Sequence, residues 1–405
     1  VNKIFENRRI VVGLSGGIAC YKACELVSRL VQSGAKVRVV MTENACEFVG
    51  PITLQALSQA QVSTDTFIPV DPGGIDHVRL AEFAQILVIL PATANFLAKM
   101  AHGLADDLLS TTYVACDCPV LVVPAMNTKM YDHPATRDNM EILERRGVHF
   151  LHPESGYLAC GTEGAGRLPG LDRIVEKIAL ILGASDKLSG KRVLVTAGPT
   201  REALDPVRYL TNRSSGKMGF ACARAAVRMG AEEVFLVAGP TELVTPLGVR
   251  RIDVESAREM FEAVRPLLGE VDLVVAAAAV SDFTPLDKSA HKIKKSLPDQ
   301  EITLKLKAAP DILAYASKNR KTGAVVLGFA VETENEAEQA LRKLRKKGLD
   351  FIVVNNPTEE GAGFAVDTNR VFILDAGGKR TELPLLDKGE LAGRLLELAA
   401  GAFKQ

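Results

Sequence analysis

The sequence predicts an α/β protein of two three-layer domains with mostly parallel sheets. Three observations carry this. The chain has 405 residues, enough for about two or three domains at the usual ~100–200 residues each. Short β-branched runs alternate with Ala/Leu-rich stretches of helical period, the pattern of strands wound through helices that cover both faces. That alternation also starts twice, each time as a strand, a glycine-bearing turn and a helix.

The first start is the strand-like Ile10 to Gly13, a Gly-rich turn, and Ile18 to Gln32, where Ala19, Ala23, Leu26, Val27 and Leu30 fall at helical spacing. Val37 to Met41 follows as a second strand. Later, a helical stretch from Leu171 to Leu182 gives way to the polar, turn-rich segment 183–190, which reads as a linker. This sets the expected domains at 1–190 and 191–405. The second start is Arg192 to Ala197, the turn Gly198-Pro199-Thr200 and an Ala-rich helix from about Lys217. Both halves therefore read as Rossmann-like or flavodoxin-like.

Composition removes several function classes. Hydrophobic residues make up 47% and charged residues 24%, and 49 basic against 49 acidic side chains leave a formal charge of +0. No overall basic field is present to recruit nucleic acid or anionic lipid. No apolar run approaches the ~20 residues that span a bilayer, and Val1 to Arg9 is polar where a signal peptide is apolar. The expectation is a cytoplasmic protein with no nucleic-acid or membrane partner. Seven scattered cysteines lack C-x-x-C pairing, so they read as reduced thiols, mostly in the core.

Parallel sheets bind ligands where strands end and helix N-termini present unpaired N–H groups. The turn Gly13-Leu-Ser-Gly-Gly17 departs from G-x-G-x-x-G. The second strand ends in Met41-Thr42, where an NAD site carries an acid for the ribose. A mononucleotide such as FMN fits better, with Ser15 and Thr42 as phosphate partners, although the same turn also reads as a tight strand-to-helix connection. Asn212-Arg-Ser-Ser-Gly-Lys217-Met218 approximates a Walker loop but lacks its first glycine and the Ser/Thr after lysine. It reads either as an anion-binding helix start or as a serine-capped basic loop.

In the first half, Gly74-Ile-Asp-His77 precedes a helix. Pro91-Ala-Thr-Ala-Asn95 follows the strand Ile86 to Leu90, and Pro124-Ala-Met-Asn127-Thr-Lys-Met130 follows Val120 to Val123. Gly156-Tyr-Leu-Ala-Cys160-Gly161 and Gly164-Ala-Gly-Arg167 read as a mobile glycine-rich loop carrying one cysteine. Together these segments resemble the flavin-dependent cysteine decarboxylase family over roughly the first 180 residues, with its P-x-M-N-x-x-M motif complete. The resemblance implies that His77, Asn127 and Cys160 are catalytic. FMN would lie against Ser15, Gly16, Gly17, Thr42, Pro91, Ala92, Thr93, Asn95, Ala125 and Met126. The implied chemistry is oxidation of a cysteine-derived thiol to a thioaldehyde, loss of the β-carboxylate, and return of the electrons to the ene-thiol, with no net redox change. His77 would act as acid/base or electrostatic partner, Asn127 would hold the departing carboxylate, and Cys160 would supply a proton.

The second half carries Ala197-Gly-Pro-Thr-Arg-Glu202, Leu204-Asp-Pro-Val-Arg-Tyr209 and Asn212 to Gly219. Further on come Ala276 to Phe283, Lys292-Ile-Lys-Lys295, Ala309-Pro-Asp-Ile312 and Gly328-Phe-Ala330. Singly, these read as a turn, a buried strand, a solvated lysine cluster and a helix cap. As an ordered set they resemble the phosphopantothenate–cysteine ligase family from Lys191 onward, and the whole chain resembles the bacterial bifunctional enzymes of coenzyme A biosynthesis. The resemblance implies activation of 4'-phosphopantothenate by CTP as an acyl-cytidylate, with Mg2+, and displacement of CMP by cysteine. The product would pass to the first half and be decarboxylated to 4'-phosphopantetheine.

By the same resemblance, Lys292 serves acyl-cytidylate formation and Asn212 the acyl intermediate. The nucleotide would contact Ala278, Asp282, Lys292, Pro310, Asp311, Ile312, Phe329, Lys343 and Lys347, with Gly328 shaping the cleft. Lys343 and Lys347 read equally as part of a solvated amphipathic helix. Ala309 stands where the enterobacterial form has asparagine. No all-protein metal cage is visible, and magnesium commonly keeps waters and substrate oxygens. Trimers of the first half and dimers of the second would close a homo-oligomer, a dodecamer. The rival readings are a flavin-binding regulatory protein on the decarboxylase fold and an NAD-dependent oxidoreductase.

Overall fold

The computed structural model describes residues 3–68, 75–157, 161, 163–294, 301–331, 335–355 and 366–403. The chain divides into two compact units, Val1–Gly183 and Ala184–Gln405. The division comes at the head of segment 183–190 because Leu188 is fully buried in the core of the second unit.

The first unit runs β1 (Arg9–Leu14), α1 (Cys20–Gln32), β2 (Lys36–Met41), α2 (Glu43–Cys46), α3 (Pro51–Ser58), β3 (Val62–Ser63), α4 (Asp76–Phe83) and β4 (Ile86–Ala92). It continues with α5 (Ala94–His102), α6 (Leu108–Ala115), β5 (Val120–Pro124), α7 (Thr128–Tyr131), α8 (Pro134–Arg145), β6 (His149–Phe150), β7 (Glu154–Tyr157), β8 (Glu163–Arg167) and α9 (Leu171–Leu182). Six strands form one sheet in the order β3-β2-β1-β4-β5-β6, parallel throughout. This is the Rossmann winding. β4 and β5 are buried along their whole length, so they read as continuous apolar runs and not as alternating strands. α1 buries Cys20, Ala23, Leu26, Val27 and Leu30, and α5, α6 and α8 bury Leu97, Leu109 and Met140 among others. Each such buried aliphatic side chain contributes about 1.5–3 kcal/mol relative to exposure.

The glycine-rich segment expected to be a loop is, where described, an antiparallel hairpin of β7 and β8. It is docked: the Met126 N–H donates to Gly166 O at 3.1 Å. Gly166 has φ +137°, and a Cβ there would lie 2.1 Å from Met126 O. The glycine therefore permits both the backbone angle and the close approach.

The second unit runs β9 (Arg192–Ala197), β10 (Arg201–Ala203), β11 (Tyr209–Thr211), α10 (Lys217–Arg228), β12 (Glu233–Ala238), β13 (Val249–Asp253), α11 (Ala257–Val264), β14 (Leu273–Ala276) and β15 (Phe283–Pro285). Then follow β16 (Leu306–Ala308), α12 (Ile312–Asn319), β17 (Val325–Val331), α13 (Glu336–Lys347), β18 (Phe351–Asn355), β19 (Thr368–Asp375), β20 (Arg380–Asp387) and α14 (Lys388–Gly401). Its large sheet has the order β13-β12-β9-β14-β17-β18-β19-β20. The first six strands are parallel and repeat the winding of the first unit; β19 and β20 add an antiparallel edge. Val193, Val195 and Ala197 face the core under α10 and α14, while Leu194 faces the opposite core with Met260, Ile312 and Leu344. The alternation along β9 thus builds the three layers.

Among the described cysteines, Cys20 and Cys222 are buried, and Cys24, Cys46, Cys116 and Cys118 are half-buried. The expectation that most sit in the core is met by two. Cys116 and Cys118 pack against the edge of the first core, where a small thiol fills space without full enclosure.

Two predictions test this packing. Gly166→Ala should release the hairpin, read as faster hydrogen exchange at the Met126 amide. Gly219→Ala would ordinarily favour a helix, but the new Cβ would lie 2.5 Å from Ala197 Cβ and 3.0 Å from Thr196 O. Overpacking should win by about 1–3 kcal/mol, lowering the denaturant midpoint of the second unit.

Candidate active sites

In the first unit the strand order reverses between β1 and β4, and their C-terminal ends open onto a cleft of about 620 Å³. Gly16, Gly17, Ile18 and Ala19 line it ahead of α1, with Tyr21 and Lys22 from the helix itself. Thr93 follows β4, Ala125, Met126 and Asn127 follow β5, Met130 lies on α7, and Tyr157, Gly166, Arg167 and Leu168 close the other side. Segments far apart in sequence thus meet at the switch point of the sheet.

Of the expected cofactor residues, Gly16, Gly17, Thr93, Ala125 and Met126 line this cleft. Ser15 does other work. Its hydroxyl is buried, donates to Pro91 O at 2.8 Å and accepts the Thr93 N–H at 2.9 Å. It ties the end of β1 to the end of β4. Thr42 caps α2, accepting the Ala45 N–H at 3.3 Å. Pro91 and Ala92 are buried, and Asn95 is exposed in the first turn of α5.

The cleft fits a mononucleotide. A Cβ on Gly17 would meet nothing nearer than Thr93 Cγ2 at 3.6 Å, so the bare glycine leaves room that a side chain would fill. The exposed helix start behind it suits phosphate. Lys22 and Arg167 add cationic character: burial, and then repulsion by Arg167, push the Lys22 amine below its ordinary value. Neither residue stood out in the sequence, because a lysine on an amphipathic helix and an arginine after glycines are common surface patterns.

Asn127 lines the cleft and caps α7, its Oδ1 accepting the Lys129 N–H at 2.9 Å. His77 lies in the first turn of α4, half-buried, outside the residues lining the cleft. Its Nδ1 is buried and has no hydrogen-bond partner among the described residues. A buried polar nitrogen left unsatisfied is costly, so this atom is poised for a partner beyond them. Cys160 lies outside the described residues.

The second unit gathers its expected residues through backbone links. Thr200 N–H donates to Ala279 O at 3.3 Å and Ala279 N–H to Gly198 O at 2.9 Å, while Ser281 N–H donates to Thr200 Oγ1 at 3.0 Å. Asn212 Nδ2 donates to Val280 O at 2.9 Å. Ala278 therefore sits beside the end of β9, with Asn212 hooked to the same segment. Ala309 N–H donates to Asp282 O at 2.9 Å, which carries Pro310, Asp311 and Ile312 next to Asp282. Asp311 caps α12 and pairs with Lys347 at 2.9 Å. Burial opposes its charge, but Lys347 and the Ala314 N–H outweigh this and hold the carboxyl below the usual range.

Lys347 is thus joined to the expected nucleotide segment, while Lys343 is exposed on α13. Phe329 is half-buried in β17 against the core. At Gly328 a Cβ would lie 2.9 Å from Leu313 Cδ2. Lys217 begins α10 and pairs with Asp367 at 2.7 Å. Lys292 is exposed in the segment that follows β15 and is held through its neighbour Ile293, whose N–H donates to Asp205 at 3.1 Å. Sequence reasoning missed Asp205, which looks like an ordinary Asp-Pro turn. Among the described residues no group of three or more His, Cys, Asp or Glu side chains is arranged to hold a metal, and no helix is long and apolar enough to cross a membrane.

Comparison with known proteins agrees with this division. The flavoprotein family matches residues 2–183, and the DNA/pantothenate metabolism flavoprotein C-terminal domain matches residues 188–402. The coenzyme A biosynthesis bifunctional protein CoaBC of Bacillus subtilis is 46% identical over 405 residues, covering 99% of both chains. That of Escherichia coli K12 is 42% identical over 390 residues, covering 96% of this chain and 95% of the other. A crystal structure of the C-terminal domain of CoaBC is 42% identical, with TM-score 0.46, and covers 54% of this chain and 97% of that one. The chain belongs to the family of bifunctional coenzyme A biosynthesis enzymes, with a flavoprotein decarboxylase half followed by a ligase half.

Proposed function

We propose that the second half joins 4'-phosphopantothenate to cysteine at the expense of CTP, and that the first half uses FMN to decarboxylate the product to 4'-phosphopantetheine. The observation that carries the first half is one cleft uniting a glycine turn, a helix start, Asn127 and two cations. When bound, FMN supplies reversible two-electron oxidation of the substrate thiol. Gly16, Gly17 and the α1 terminus would hold its phosphate, and Thr93, Ala125 and Met126 would line the space for its ring. Ser15 acts indirectly, by fixing Thr93.

Asn127 is already oriented by its own cap bond, and its amide holds the departing carboxylate. Lys22 and Arg167 offset the negative charge of the substrate. His77 keeps an unpaired imidazole nitrogen for acid/base work, and Cys160 donates a proton during the return of electrons. In the second half, Asn212 steadies the acyl group and Lys292 neutralises charge as the carboxylate attacks the nucleotide. Lys347 and Asp311 would flank the nucleotide, and Mg2+, when bound, would offset the negative charge of its phosphates. The two activities divide with the units at the head of segment 183–190, and the protein works in the cytoplasm as a homo-oligomer of trimers linked by dimers.

The test is mass spectrometry of products after the full chain meets 4'-phosphopantothenate, cysteine, CTP and Mg2+. 4'-Phosphopantetheine with CMP and pyrophosphate is expected. Accumulation of phosphopantothenoylcysteine would leave the ligase reading alone, and no product from flavin-loaded protein would favour a regulatory flavoprotein. His77→Asn should retain FMN absorbance but slow decarboxylation by about 10²–10⁴-fold, leaving CMP release unchanged.

A further inference from the structure

Asp205 lies in the turn between β10 and β11 and is 2% exposed. It accepts the N–H groups of Val207 and Arg208 at 2.8 Å each, and Arg208 Nε and Nη2 at 3.0 and 2.6 Å. These bonds fold the turn. Two further bonds go beyond it: Asp205 accepts the Ile293 N–H at 3.1 Å, and Arg208 Nη2 also donates to Ile293 O. The Ile293 residue is thus gripped at both its N–H and its C=O. Ser289 N–H donates to Leu204 O at 3.0 Å, fixing the same segment four residues earlier.

An Asp-Pro turn needs none of these last three bonds. Their effect falls on an exposed segment without regular secondary structure, whose reactive side chain is Lys292, the neighbour of the gripped residue. A lysine has four rotatable carbons, so its aim depends on a fixed backbone beneath it. Burial works against the charge on Asp205, but the Arg208 fork and the three backbone N–H groups outweigh it and hold the carboxyl well below the usual range. The acceptor stays ionised at neutral pH, and charge-assisted bonds are the strong ones.

We infer that Asp205 is the positioning residue for Lys292, acting through the Ile293 backbone in the step that forms the acyl-nucleotide. The inference rests on the reading of Lys292 given above. Asp205 itself does not touch the substrate.

The test uses the full chain with Asp205→Asn, Lys292→Gln and the double variant, following CMP release at varied CTP. Asp205→Asn should lower kcat by about 10²-fold, the scale of a small misplacement at a reacting centre. KM for CTP should hold within about threefold, and Ile293 amide exchange should quicken. The double variant should be no slower than Lys292→Gln alone, since both changes remove the same contribution. Additive losses, or normal kcat with a loosened Ile293, would overturn the inference and leave Asp205 a fold residue only. Lys292→Gln at normal kcat would overturn the reading of Lys292 itself, and the inference with it. If Asp205→Asn does not fold, Arg208→Lys takes its place in the cycle. It keeps a cation beside Asp205 but cannot bridge to Ile293 O, and the same non-additivity is expected.

Discussion

Burial of the central strands on both faces is the constraint from which the sites follow. β4 and β5 are buried along their whole length, and β1 and β9 are buried from their second residue on. Polar chemistry therefore cannot be built on the strands themselves and is confined to the loops where they end. In a parallel sheet those ends all lie on one edge. Where the winding reverses, neighbouring crossovers leave in opposite directions and the loops part. The cleft at β1 and β4 is the direct result, and the loops after β9 and β14 meet at the corresponding place in the second unit.

Holding such loops still takes bonds that strands do not supply. In the first unit Ser15 spends its hydroxyl on Pro91 and Thr93, and Gly166 brings a hairpin onto Met126. In the second, Thr200 joins the end of β9 to Ala279 and Ser281. Small residues do this because a hydroxyl or a bare Cα reaches backbone groups at hydrogen-bond distance, whereas a larger side chain would part them. The result is a rigid frame that offers N–H groups and amides to a ligand.

Much of the frame was legible in the chain, because β-branched runs, helical spacing and strand-end motifs are local signals. The two starts at Ile10 and Arg192 are the first and central strands of two sheets with the same winding. The segments 91–95 and 124–130 are the strand-to-helix junctions at one end of one sheet. What the sequence hid was pairing at a distance. Ser15 has the hydroxyl of a phosphate ligand, but its partners lie 76 and 78 residues away. Lys22 and Arg167 come to line one cleft only when the hairpin docks on the segment after β5. The hairpin itself was masked by its glycines, which signal a loop unless the partner backbone is known. Asp205 reads as a turn residue until Ile293, 88 positions later, is set beside it.

The two carboxylates of the ligase half show how burial sorts charges into fixed and exchangeable pairs. The Asp205 side chain is wholly enclosed and its donors include three backbone N–H groups, so any exchange of partner would strand a buried charge. Asp311 is half-exposed, and its partner Lys347, near the end of α13, keeps part of its side chain in contact with solvent. Such a pair contributes only about 0–1 kcal/mol. A phosphate oxygen, a charge-assisted acceptor, can take Lys347 from Asp311 at little cost, and the α12 cap bond to Ala314 keeps Asp311 in place after the lysine leaves. One carboxylate is thus fixed in its pairing and the other can exchange it, and the difference lies in water access and not in residue type.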